Sequence, residues 1–373
     1  MSTRRSGPGA KNDITDILGL RVGHANDSLA CTGVTAVIFD QPSIVAGDVR
    51  GGGPGSRETD LLDPSTLVER ADAIILSGGS SYGLGAADGA ASWLGQQGRG
   101  FQLVGREGVP PSPIVPAAIL YDLANGGDKN WSKRNDGYPP YFKLGEQACM
   151  SARQFNKESS AKLAQGVVGA GYGAIAGLNK GGLGSASYIT DNGIKVGALI
   201  AVNSFGSVKL PGDEAYWAWP YEWNDEFGGI KPNLALGPCA DLPDDTKLGP
   251  LGFGHKATSN DASDGASNEA MNTTIGVIAI QMPDASRLIS QANMKRVAVM
   301  AQDGLARAIR PIHGPTDGDI LFTACVEEPD TTDLPQNGIP IDPITLTRIG
   351  SIAADVTARA IARAIYEAEK EAT

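Results

Sequence analysis

The sequence predicts a mixed fold of strands and helices, α/β or α+β in class. Three observations lead there: short strand-like apolar runs, often near glycines, longer segments with a helical apolar period, and 49 glycines beside only 6% aromatics. The runs 35–39, 73–76, 197–202, 274–280 and 320–326 have the length and composition of strands. Residues 82–94 follow the turn Ser77-Gly78-Gly79-Ser80-Ser81 and read as a helix. In 294–309 the residues Met294, Val297, Ala298, Ala301, Leu305 and Ile309 recur at the helical period. A last helix is expected from Pro343, which suits a first turn, to about Glu371, with Ile349, Ile352, Ala353, Val356 and Ala360 on one face.

Composition bounds what the chain does. Its 373 residues are enough for one large or two ordinary domains, and 41% hydrophobic with 20% charged residues suits a globular enzyme. A net charge of −11 argues against nucleic acid and anionic membranes, which need clustered Lys and Arg. The glycines follow no fixed period, so collagen and solenoid repeats are excluded. The four cysteines, Cys31, Cys149, Cys239 and Cys325, are scattered and read as reduced and structural, which points to the cytoplasm. Residues 1–13 lack the apolar core of a signal peptide, and no apolar run is long enough to span a bilayer.

Two stretches read as irregular. Residues 126–145 are polar and suggest a surface excursion. Residues 241–271 are rich in Asp, Ser, Gly, Asn and Pro and suggest a solvated linker. That linker ends abruptly against the apolar strand 274–280, where a chain break would disturb the fold least. By composition alone an ordinary interdomain linker is the favoured reading.

Chemistry concentrates just after it. Asn272-Thr273-Thr274 opens one strand, and His313-Gly314-Pro315-Thr316-Asp317-Gly318-Asp319 opens another after an intervening helix. If the two strands pair, Thr273 and both carboxylates lie at one end of a sheet. A threonine hydroxyl needs a base to become a nucleophile. A terminal threonine carries its own, an α-amine with a pKa of about 7.7–8.0. Cleavage before Thr273 would make nucleophile and base in one step, and Asp317 and Asp319 would orient them. The competing reading of Asp317-Gly318-Asp319 is a simple turn.

Longer runs give the chain a family resemblance. These are Asp16-Ile17-Leu18-Gly19-Leu20-Arg21-Val22-Gly23-His24, Arg50-Gly51-Gly52-Gly53-Pro54-Gly55-Ser56-Arg57-Glu58-Thr59-Asp60-Leu61-Leu62, Leu76-Ser77-Gly78-Gly79-Ser80 and Val115-Pro116-Ala117-Ala118-Ile119-Leu120-Tyr121-Asp122-Leu123. Over nearly its whole length the sequence resembles the autoprocessing aminopeptidases: the L-aminopeptidase/D-amino-acid esterases, the β-peptidyl aminopeptidases and the nylon-oligomer endohydrolases. The resemblance implies an α+β fold layered αββα, of the N-terminal-nucleophile hydrolase type. It implies self-cleavage between Asn272 and Thr273, as in the nylon-oligomer branch, into a larger chain 1–272 with a flexible linker at 241–272, and a smaller chain 273–373. Thr273 would be the nucleophile, Asp317 and Asp319 its acidic pair, and Asn203 the oxyanion donor, with Lys180 and Tyr121 as further site positions.

The implied substrate is a short peptide, a β-peptide, a D-amino-acid amide or ester, or a 6-aminohexanoate oligomer. No metal or organic cofactor is implied, and the assembly would be an oligomer of cut heterodimers. A second reading is an N-acyltransferase of the ornithine acetyltransferase type, which also cleaves itself before a threonine. The long runs in the first half of the chain favour the aminopeptidases. A third reading is a binding or scaffolding protein that keeps the fold without cutting itself.

Other motifs are weaker. The run Gly51-Gly52-Gly53-Pro54-Gly55-Ser56 lacks the Lys-Ser/Thr of a phosphate loop, and Gly169-Ala170-Gly171-Tyr172-Gly173 lacks dinucleotide spacing, so both read as close backbone packing. The aromatics Tyr216, Trp217, Trp219, Tyr221, Trp223 and Phe227 form a satellite core, a pocket wall or a subunit interface. Three histidines are too few for a convincing zinc site, and His313 is expected to support the Asp317 loop.

Overall fold

One strand ties the two halves of the fold together. The computed structural model describes residues 6–133, 137–155, 162–236, 242–247, 272–283, 287–327 and 339–371. In chain order the strands are β1 (Leu20–Asp27), β2 (Thr32–Val49), β3 (Ser56–Arg57), β4 (Arg70–Ser77), β5 (Ala117–Ile119), β6 (Ile175–Ala176), β7 (Asn179–Lys180), β8 (Gly182–Ile189), β9 (Lys195–Asn203), β10 (Thr273–Gln281), β11 (Arg287–Leu288), β12 (Ile320–Cys325) and β13 (Ile339–Pro340). The helices are α1 (Gly85–Gln96), α2 (Tyr141–Phe155), α3 (Gln291–Ala308) and α4 (Pro343–Lys370).

Strand β2 pairs with β1 and β4 through its first half and with β12 through its second, with an irregularity between Ile38 and Ser43. Asp40, Gln41 and Pro42 fall at that irregularity, where the register shifts. The resulting order is β3-β5-β4-β2-β12-β10-β9-β8, with β1 beside β2.

Period-2 alternation then sorts side chains into three cores. Val37, Phe39, Ile74 and Leu76 of the first half meet Leu199, Ala201, Ile275, Val277, Ile320 and Phe322 of the second, forming a core between the two sheet halves. The alternate residues of the first half, Val34, Ala36, Ile38, Ala73 and Ile75, face α1 and α2. Those of the second half, Ile200, Val202, Ile278 and Ile280, face α3 and α4. Three apolar seams between four layers are the αββα sandwich.

The outer helices are placed by caps and small residues. Ser290 caps α3 by accepting from the Asn293 N–H, and Asp342 caps α4 by accepting from Ile344 and Thr345. Helix α4 is buried on nearly every side from Ala353 to Ile365. Alanines let it approach the strands so closely that a Cβ added at Gly184 would lie 2.0 Å from the Ala360 carbonyl oxygen. Arg359 on this helix is 1% exposed and donates two bonds to the Glu226 carboxylate, at 2.6 and 3.0 Å. It also reaches Ser187 O and Asn12 Oδ1, which fixes the N-terminal segment and the 222–226 loop.

Two expectations need correction. Residues 126–145 do not stay irregular: α2 begins at Tyr141 and buries Tyr141, Leu144, Ala148, Cys149 and Ala152. The first turn of that helix lies inside the polar stretch, so composition concealed it. The stretch 241–271 is not solvated throughout, since 242–247 fold onto the body. Residues 248–271 lie outside the described residues, as does Cys239. The aromatic run divides: Tyr216 and Phe227 are buried and edge-on at 5.5 Å, whereas Trp223 is 41% exposed. Among the described residues, no helix is long and apolar enough to cross a membrane.

Candidate active site

Three strand ends converge on Thr273. Strands β10 and β12 run parallel, and the ladder continues below them as a bridge between Asn272 and Asp317. This places Thr273 and the loop carrying Asp317 and Asp319 at the same sheet end. Strand β9 runs antiparallel to β10 and sets Asn203 directly opposite Thr273. Directly opposed residues of an antiparallel pair project to the same face, so both side chains share one side of the sheet.

Thr273 is 3% exposed, and its hydroxyl donates to the Asn272 carbonyl oxygen at 2.5 Å. The same oxygen accepts the Gly318 N–H at 2.7 Å. A Cβ at Gly318 would sit 2.8 Å from Thr273 Oγ1, so a bare backbone is required there. The 51–53 loop explains its glycines in the same way. Its N–H groups bond the carbonyls of Gly314, Asp317 and Asp319, and a Cβ at Gly51 would fall 2.2 Å from Asp317 O.

The two aspartates are buried and differently held. Asp319 Oδ1 accepts the Thr274 N–H at 2.7 Å. Its Oδ2 accepts the His313 N–H at 3.1 Å and faces His313 Nδ1 at 2.9 Å. Asp317 Oδ2 accepts the Gly314 N–H at 2.7 Å. Asp317 Oδ1 is buried and has no hydrogen-bond partner among the described residues. Burial and the neighbouring Asp319 charge push Asp317 up to about 6, against the pull of Gly314, His313 and Lys247. A carboxylate so raised accepts a proton near neutral pH.

Asn203 is fully buried and its amide is held through both Oδ1 and Nδ2. Its Oδ1 accepts from Asn125 Nδ2 at 3.1 Å, Ile175 N at 3.0 Å and Lys247 Nζ at 3.2 Å. Its Nδ2 donates to Tyr121 O at 3.0 Å. Tyr121 therefore meets Asn203 through its backbone carbonyl. Lys180 is exposed on β7, opposite Ile175, whose N–H bonds Asn203 Oδ1. The ammonium that reaches Asn203 belongs to Lys247. Burial pulls Lys247 down to about 7, with Asp317 acting the other way. Nothing in the sequence singles out Lys247, which lies in a stretch whose composition reads as linker.

A buried threonine opposite an amide, at the same sheet end as a raised carboxylate, has the parts of an acyl-transfer site. The sequence profile of peptidase family S58 matches residues 12–373. The chain belongs to peptidase family S58. It is similar to an uncharacterized aminopeptidase of Mycobacterium leprae, 41% identical over 97% of this chain and 92% of that one. It is also similar to the 6-aminohexanoate-oligomer endohydrolase of a Kocuria species, 25% identical over 91% of this chain and 82% of that one. Among solved structures it shares the fold of a Burkholderia β-aminopeptidase, at TM-score 0.63 and 20% identity over 97% of this chain and 89% of that one. It shares as well the fold of the L-aminopeptidase D-Ala-esterase/amidase of Ochrobactrum anthropi, described as a variant of the Ntn hydrolase fold, at TM-score 0.62 and 18% identity over 97% of this chain and 88% of that one. The S58 chain is thus a hydrolase of peptide or amide bonds built on an Ntn-type αββα sandwich.

Proposed function

We propose that this S58 chain is a precursor that cuts itself between Asn272 and Thr273 and then hydrolyses short linear amides with Thr273 as nucleophile. The observation that carries the reading is the Thr273 hydroxyl held 2.5 Å from the Asn272 carbonyl oxygen, with the Gly318 N–H on that same oxygen. In the first stage the hydroxyl oxygen adds to the Asn272 carbonyl carbon while Asp317 takes its proton. The Gly318 N–H steadies the oxyanion. The C–N bond then breaks, the Thr273 nitrogen gains a proton, and an ester links Asn272 to Thr273 Oγ1. Water hydrolyses that ester and leaves an Asn272 carboxylate and a free Thr273 amine.

In the second stage the amine takes the hydroxyl proton and Thr273 adds to a substrate carbonyl. Asn203 Nδ2 binds the oxyanion. Asp317 and Asp319 hold the ammonium near Thr273, the substrate amine leaves with a proton, and water releases the acyl group. The two products, 1–272 and 273–373, stay associated through β10, which is paired on both edges.

Short peptides with a free amino terminus are the first substrate class, supported by the aminopeptidase relative at 41% identity. The endohydrolase relative supports 6-aminohexanoate oligomers as a second, and the Asn272-Thr273 junction leans the same way. A panel of amino-acid p-nitroanilides beside such an oligomer separates them. Among the described residues the thiols of Cys31, Cys149 and Cys325 form no disulfide, in keeping with a reducing, cytoplasmic setting. The exposed part of the aromatic run supports an oligomer of cut heterodimers.

Self-cleavage carries a pH signature. Asp317 must be unprotonated to accept the Thr273 proton, and its carboxyl titrates at about 6. Below that value the cutting rate falls by about tenfold per pH unit, and above it the rate levels. Time courses of freshly made precursor on denaturing gels measure this directly. A rate that is flat from pH 4 to pH 8 contradicts the assignment of Asp317 as the base.

A further inference from the structure

The mechanism above leaves Lys247 without a task, although it lies against the site. Its segment is fixed from both sides. The Lys247 N–H donates to Phe205 O at 3.0 Å, and Asp245 O accepts the Leu178 N–H at 3.1 Å. Ser207 Oγ donates to Asp245 Oδ2, and Thr246 is 2% exposed. From this anchored segment the Lys247 ammonium donates to Asn203 O at 3.1 Å and to Asn203 Oδ1 at 3.2 Å.

Those contacts settle which way the Asn203 amide faces. Three donors surround Oδ1 and one carbonyl, that of Tyr121, faces Nδ2. Turning the amide over would set an NH2 group against Asn125, the Ile175 N–H and an ammonium, and an oxygen against a carbonyl. With Oδ1 saturated and one Nδ2 hydrogen on Tyr121 O, the second Nδ2 hydrogen is the one the proposed oxyanion would take. A charged donor on Oδ1 also draws electron density from the amide nitrogen. The remaining N–H is thereby a stronger donor, because linked hydrogen bonds polarise one another.

We propose that Lys247 is a positioning residue of the oxyanion site, holding and polarising the Asn203 amide through its side-chain oxygen. The inference rests on the proposed reading in which Asn203 receives the oxyanion formed by Thr273 attack. The bond to the oxyanion tightens only as charge develops, so loss of Lys247 lowers kcat and spares KM. Self-cleavage uses the Gly318 N–H instead, so a Lys247 variant still matures.

The test compares Lys247→Met, Lys247→Gln and Lys247→Arg in the full chain, with Asn203→Ala, the double variant Lys247→Met/Asn203→Ala, and Thr273→Ala beside them. Expected is a kcat for Lys247→Met about tenfold below the parent with KM within about twofold. Lys247→Gln keeps a donor without the charge and falls between, and Lys247→Arg recovers kcat to within about threefold. The double variant is no slower than Asn203→Ala alone, because Lys247 acts through that amide. Three results overturn the inference: an unchanged kcat in Lys247→Met, a loss confined to KM, or losses that multiply in the double variant. Should Lys247→Met not fold, the Gln and Arg variants decide by the same kcat comparison. Amidase activity surviving in Thr273→Ala would instead sink the underlying mechanism, whatever Lys247 does.

Discussion

A Thr273→Ala chain is expected to remain one full-length polypeptide and to lose amide hydrolysis by about 10⁴-fold or more. The size of the effect follows from one atom serving both stages. Without Oγ1 nothing adds to the Asn272 carbonyl, so the α-amine that would act as base is never released. Two catalytic groups vanish with one side chain, and their losses do not simply add. The fold should tolerate the change. Thr273 lies at the start of β10 with its backbone paired to Asn203 and Thr274 tied to Asp319, and those bonds do not involve its side chain. A melt within a few degrees of the parent would show that lost activity is lost chemistry. Thr273→Ser keeps the hydroxyl and is expected to cut and to turn over, more slowly. A cut or active Thr273→Ala chain would contradict the account.

Replacing Asn203 by alanine has the second largest effect. Removal of one oxyanion donor costs about 3–4 kcal/mol, or about 10²–10³ in kcat. Here the loss is twofold in kind. The substrate oxyanion loses its donor, and Asn125 Nδ2, the Ile175 N–H and Lys247 Nζ lose a shared acceptor in a buried setting. Asn125 Nδ2 keeps Gly173 O and Lys247 Nζ keeps the carbonyl of residue 203, but the Ile175 N–H loses this acceptor, and a buried donor left unsatisfied costs about 1–3 kcal/mol. A lower melting temperature should therefore accompany the kinetic defect. Self-cleavage separates the two effects, since its oxyanion meets Gly318 rather than Asn203. The expected Asn203→Ala protein matures into two chains and is then slow. A variant that matures and keeps a kcat within threefold of the parent would remove Asn203 from the mechanism.

The convergence of Thr273, Asp317 and Asp319 was legible in the sequence because it depends on local facts. Two apolar strands, each preceded by its polar residues and joined by one helix, favour a parallel crossover that sets both N-terminal ends together. Strand cores and the faces of α3 and α4 were legible for the same reason, since their periods are short. The layering was not. Strand β2 serves both sheet halves, but its alternation breaks at Asp40-Gln41-Pro42, so periodicity alone identifies only its first half. Resemblance supplied the αββα arrangement that pattern could not. The glycines of the 51–53 loop read correctly as close packing, but their partner loop, 314–319, is far along the chain.

Buried charges were the least legible feature. Arg359 is helix-borne and flanked by alanines, and its partners Glu226 and Asn12 are remote in sequence. Lys247 sits in a stretch whose composition signals solvent. In both cases the charge is buried because distant acceptors gather around it, and no local spacing encodes that. Lys180 and Tyr121 stand out in the sequence only because the resemblance implies them as site positions. Geometry gives Tyr121 a backbone contact with Asn203 and leaves Lys180 exposed.

The most direct measurement is the intact mass of the purified, active protein under denaturing conditions. The account predicts two chains whose masses fix the break after Asn272, the smaller one beginning with a free threonine amine. A preparation that hydrolyses amides while showing a single unbroken chain would contradict it.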